Sequence, residues 1–117
     1  MIGFGGNRRI MLCSQPVDFR KGIDGLAALV QLTLKADPFC GDIYVFRSKR
    51  ANRIKLLTWD GSGMVLATKR LEEGRFTWPP VRDGSIQLTS TQMSILFEGL
   101  DWTRTALKTV KRPLLAA

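Results

Sequence analysis

The stretch from residue 42 to residue 70, DIYVFRSKRANRIKLLTWDGSGMVLATKR, constrains the fold more than any other part of the chain. Three strand-length runs, Asp42–Arg47, Arg53–Trp59 and Met64–Arg70, are rich in β-branched and aromatic residues and separated by turn signals. The DGSG turn between the last two is a hairpin signal, because Asp-Gly accepts the positive φ angles of a tight turn. It predicts Trp59 opposite Met64 and Leu57 opposite Leu66. Across the preceding loop, pairing Phe46 with Arg53 places Tyr44 opposite Lys55.

Side chains alternate across a strand, so this register sorts them onto two faces. One face carries Tyr44, Phe46, Arg53, Lys55, Leu57, Trp59, Met64, Leu66 and Arg70. The other carries Ile43, Val45, Ile54, Leu56, Val65 and Ala67. The second is aliphatic and suits a packed helix. The first mixes rings with cations, which leaves two readings. It is an open platform where bases stack and phosphates meet cations, or the second helix covers it while Arg and Lys reach out along their stems.

The flanks supply the helices. RIMLC (9–13) reads as a strand broken by Pro16. Asp18 is placed to cap a helix from Phe19 to Lys35, with Ile23, Leu26, Ala27, Val30 and Leu34 along one face. Gly22 and Gly25 cost about 1 kcal/mol each in a helix interior, and close approach of another backbone would explain them. ADPFCGD (36–42) is a turn cluster, EEGRFTWPP a turn and a short strand ending by Pro79, and SIQL (85–88) a further strand. Thr89 and Gln92 match a capping box. Met93, Leu96, Phe97 and Leu100 form an apolar stripe that Gly99 ends. The expected fold is α+β: a mainly antiparallel sheet of four to six strands flanked by two helices. Residues 1–8 read as a flexible N-terminus, 9–102 as one domain, and 103–117 as a tail made basic by Arg104, Lys108, Lys111 and Arg112.

Charge and composition narrow the partners. The 117 residues carry 18 Lys and Arg against 10 Asp and Glu, a net charge of +8. Such an excess speaks to nucleic acid, acidic protein or anionic membrane rather than to fold. No apolar run reaches the roughly 18 residues of a membrane span, and the N-terminus lacks the charge order of an export signal, so a cytoplasmic protein is expected. Two cysteines without a histidine cannot make an ordinary zinc site, and Cys13 and Cys40 are expected to be buried and reduced. The commonest general base is missing. No carboxylate spacing, P-loop or G-x-S-x-G motif points to catalysis. No enzyme activity and no cofactor or metal are expected. Arg47, Lys49 and Arg50 stand where a loop needs no core residues, which makes them the first candidates for phosphate contact, together with Arg53 and Lys55.

Three segments carry a resemblance: PVDFRKGIDGLAALVQ (16–31), DPFCGDIYVFRSKRANRIKLLTWDGSGMVLATKRLEEGRFTWP (37–79) and LTSTQMSILFEGLDW (88–102). Together they resemble the small TnpB accessory proteins of the bacterial insertion-sequence family sixty-six, which share only a name with the RNA-guided nuclease TnpB. The resemblance implies a non-catalytic accessory role in transposition, beside a DDE transposase and a second small accessory protein. It brings in Arg20, Lys21, Trp59, Lys69, Arg70, Arg75 and Trp78 as motif members. The expected nucleic-acid site is thus Arg20, Lys21, Arg47, Lys49, Arg50, Arg53, Lys55, Trp59, Lys69, Arg70 and Arg75. DNA at the element ends is the expected partner, and an adaptor that contacts the transposase without touching DNA is the alternative.

Overall fold

In the computed structural model, which describes residues 8–80 and 83–103, the elements run β1 (Ile10–Cys13), α1 (Ile23–Leu32), β2 (Ile43–Arg47), β3 (Arg53–Trp59), β4 (Met64–Arg70), β5 (Ser85–Leu88) and α2 (Ser90–Phe97). The strands form one sheet in the order β4-β3-β2-β1-β5. Three of its pairings are antiparallel, and β1 with β2 is parallel. A parallel pair needs a long crossover, and α1 supplies it. The cations expected in the C-terminal tail, from Arg104 onward, and the N-terminal residues 1–7 lie outside the described residues.

The β3–β4 register is the one the DGSG turn predicts, with Trp59 opposite Met64 and Leu57 opposite Leu66. The Asp60 carboxylate accepts the Ser62 and Gly63 backbone N–H groups, and Gly61 takes φ +104°. Those N–H bonds favour the ionised form and hold the Asp60 carboxyl below its ordinary range. The β2–β3 register differs by two residues from expectation, with Phe46 opposite Lys55 and Tyr44 opposite Leu57. Here the loop closes tightly. Ser48 N–H donates to the Arg53 carbonyl, the Ser48 hydroxyl accepts from Arg53 N–H, and Ala51 adopts φ +60° without being glycine. An offset of two preserves the parity of the pleat, so both faces keep their membership.

Which helix covers which face is the reverse of the covered-face expectation. Helix α2 lays Met93 and Leu96 on the aliphatic face, against Ile10, Leu12, Ile43, Val45, Ile54 and Leu56. Helix α1 lays Leu26 and Val30 on the aromatic face, against Tyr44, Phe46 and Leu57. All of these are buried, and each fully buried aliphatic side chain contributes about 1.5–3 kcal/mol. The buried Tyr44 hydroxyl donates to the Asp37 carbonyl, and desolvation pushes its pKa well up.

Local corrections follow from hydrogen bonding. Helix α1 starts four residues later than expected, after an extended Gly22 with no side-chain cap. Asp18 instead folds back on Arg20, accepting its backbone N–H and its guanidinium. This is an Asx-type turn competing with a helix start. Neither glycine marks a close backbone: a Cβ on Gly22 would meet nothing within 4 Å, and the atoms nearest to one on Gly25 belong to the Lys21 side chain, at 3.2–3.7 Å. No strand forms in 71–80. That segment is held by single bonds, Leu71 N–H to the Asn52 carbonyl and Phe76 N–H to the Ala51 carbonyl. Cys13 is buried as expected, but Cys40 is exposed, because the 36–42 turn carries it off the sheet. Helix α2 has the expected capping box, and it ends with Leu100 N–H on Ile95 O and Gly99 N–H on Leu96 O at φ +81°. That is a Schellman stop. No helix among the described residues is long and apolar enough to cross a membrane.

Candidate nucleic-acid interface

The loop of residues 48–52 is built before any ligand arrives. The Ser48 hydroxyl bonds both Arg53 N–H and the Asn52 side chain, and Ala51 N–H donates to the Ser48 carbonyl. From inside, Arg47 donates through Nη1 to the Ser48 and Lys49 carbonyls at 3.4 and 3.1 Å, and its Nε is buried without a partner among the described residues. From the side, the 71–76 segment holds the Asn52 and Ala51 carbonyls. This leaves Lys49 and Arg50 exposed on a braced turn.

Next to the turn, Arg53 and Arg70 are direct cross-strand partners on β3 and β4. With Lys49 and Arg50 they line an open cleft of about 350 Å³, whose remaining walls are Ser48 and Asn52. Among the described residues, the ion pairs are Arg9–Asp42 at 2.8 Å and Arg20–Asp18 at 2.7 Å. None of the four cleft cations joins a carboxylate there.

The other expected site residues are placed differently. Lys55 points toward α1, donating to the Phe19 and Lys21 carbonyls at 2.7 and 2.8 Å with its ammonium 4.8 Å from the Phe19 ring centre. Lys69 lies on the opposite face. It donates to the Phe97 carbonyl at 2.6 Å, at the C-terminal end of α2 where a cation is favoured. Arg20 is paired with Asp18 and holds that carboxyl far below its usual range. Lys21 and Arg75 are exposed, and Arg75 directly precedes Phe76, which is bonded to the loop. Trp59 sits at the far end of β3, roughly 20 Å from Arg53 at the usual strand rise, edge-on to Phe39 at 5.6 Å. Trp78 donates its indole N–H to the Cys13 carbonyl and serves the core. The sequence reading missed Ser48 and Asn52, whose roles depend on a loop closure that no Gly or Pro announces. It also missed Phe19, over which the Arg53 guanidinium stands at 5.0 Å. Among the described residues no group of three or more His, Cys, Asp or Glu gathers that could hold a metal ion.

Fold and site together define a small basic α+β protein whose concentrated surface chemistry is a cationic hairpin. The chain belongs to the IS66 Orf2-like family, TnpB of the insertion-sequence systems, whose family model matches residues 8–106. It is thus a transposition-related accessory protein. Two relatives from Sinorhizobium fredii are similar along most of the chain. Uncharacterized protein y4jC is 55% identical over 117 residues, covering 100% of both chains. Uncharacterized protein y4hO is 39% identical over 102 residues, covering 87% of this chain and 89% of its own. No solved structure matches.

Proposed function

We propose that the protein is a non-catalytic accessory factor for movement of an insertion sequence, and that it grips DNA phosphates at the element ends through Lys49, Arg50, Arg53 and Arg70. In doing so it assists assembly of the complex with the DDE transposase and the second small protein of the element, in the cytoplasm. The observation that carries this reading is the convergence of those four cations on one cleft, without a carboxylate partner among the described residues. A braced loop loses little conformational entropy when it binds, which favours a preformed contact surface. Arg75, exposed one residue before the Phe76 that bonds the loop, adds charge to the same side. Lys55, Lys69 and Arg47 contribute charge to the field while their donors hold protein carbonyls.

Binding of purified protein to labelled element ends and to random duplex, across a salt series, tests the reading. Four phosphate contacts give a log–log salt slope of about −3.6. Replacing Arg50 and Arg53 by Ala flattens it by roughly 2 and weakens all sequences about equally, since phosphate contacts position rather than specify. An unchanged slope in that folded double variant removes the cleft from the DNA site. It then supports an adaptor that meets the transposase directly.

A further inference from the structure

Arg53 and Lys49 line a second cleft as well as the cationic one. It has a volume of about 410 Å³, and its other walls are Pro16, Val17, Asp18, Phe19 and Ser48. That size lies in the range of small-ligand pockets. One side is cationic and polar, and the other is Pro16, Val17 and an aromatic ring. The apolar wall is held firmly. Val17 N–H donates to the Arg47 carbonyl, Lys55 pins the carbonyls on either side of Arg20, and Asp18 accepts Arg20 N–H. Asp18 is already neutralised by the Arg20 guanidinium, so it does not set a bare anion beside the slot.

We infer that this second cleft is a nucleobase slot: phosphates lie across Lys49, Arg50, Arg53 and Arg70 while one unpaired base enters beside Phe19 and Pro16. The inference rests on the phosphate-gripping reading above and adds a preference on top of it, for single strands or unpaired ends over closed duplex. The chemistry is that of single-strand recognition, in which unstacked bases lie against aromatic rings or the guanidinium plane of arginine beside a cationic track. Phe19 and Arg53 already stand in contact there, with the guanidinium carbon 5.0 Å from the ring centre. A paired base inside a duplex cannot reach a slot walled in this way, because its faces are taken by its neighbours.

The test compares three labelled probes of equal length and salt conditions: a single-stranded oligothymidine, its abasic counterpart with the same phosphates, and a closed hairpin duplex. Wild type is expected to bind the single strand about 5- to 150-fold more tightly than the abasic strand, the worth of one stacked base. The salt slopes of those two probes should be the same. Phe19→Leu keeps an apolar side chain and removes the ring, so the ratio should fall toward one with the slope unchanged. Phe19→Trp should keep or raise the ratio. Equal wild-type affinity for the abasic and base-bearing strands overturns the slot and leaves the phosphate cleft standing. A ratio that persists in a folded Phe19→Leu variant also overturns the slot. Binding that is absent or insensitive to salt on all three probes overturns the cleft and the slot together.

Discussion

Arg53 and Arg70 face each other directly across the β3–β4 pair, two like charges at one register position. Opposed like charges destabilise a sheet pair by a few tenths to about 1 kcal/mol. Arg70→Thr places a good strand former there and removes the repulsion. The variant should melt higher, by the equivalent of about 0.2–1 kcal/mol, while its DNA salt slope flattens by about 0.9. Thermal melts and salt titrations on one preparation check both. A lower melting temperature would mean that the pair is not repulsive in the folded protein.

Half-buried Lys55 has a role in the fold, because its ammonium holds the Phe19 and Lys21 carbonyls. Lys55→Met keeps the stem and deletes a charge-assisted bond to the Phe19 carbonyl, worth about 1.5–3 kcal/mol, and a solvent-exposed one to the Lys21 carbonyl that is worth less. The expected result is a destabilisation of about 2–4 kcal/mol in urea unfolding, with the phosphate slope retained at temperatures where the variant is folded. Arg50→Ala should do the opposite: unchanged unfolding and a flatter slope.

Ile54 and Leu56 are buried on the aliphatic face beneath α2. A carboxylate there has no partner and costs several kcal/mol, comparable with the ~5–15 kcal/mol that holds a domain folded. Ile54→Asp and Leu56→Asp should each be insoluble or show no cooperative melt by circular dichroism. Soluble variants with wild-type melts would reverse the assignment of the two faces.

The two thiols should react very differently. Cys13 is buried, and desolvation pushes its pKa up, so it offers little thiolate. Cys40 is exposed. A brief iodoacetamide pulse on native protein should alkylate Cys40 alone by peptide mass spectrometry, and Cys13 only after denaturation. Early labelling of Cys13 would mean that the α1 side of the sheet opens.

What the chain determines by itself is local. The DGSG turn sets the β3–β4 register through hydrogen bonds between residues at most three apart, so it is legible without the fold. The Thr89–Gln92 capping box and the Gly99 stop are legible for the same reason. Pleat alternation also sorted the faces correctly, and it did so despite the β2–β3 offset, because an even shift leaves parity alone. Only tertiary structure decided what each face meets. Nothing near Ile23–Leu32 says that β1 and β2 are parallel, yet that pairing forces α1 across the aromatic face and leaves the aliphatic face to α2. The same holds for the cations. Lys55 and Lys69 look like Arg53 and Arg70 in a strand pattern, but the first two meet carbonyls 28 or more residues away, while the second two meet each other and the loop. A side chain's charge is written in the sequence; whether a distant carbonyl consumes its donors depends on how the helices pack.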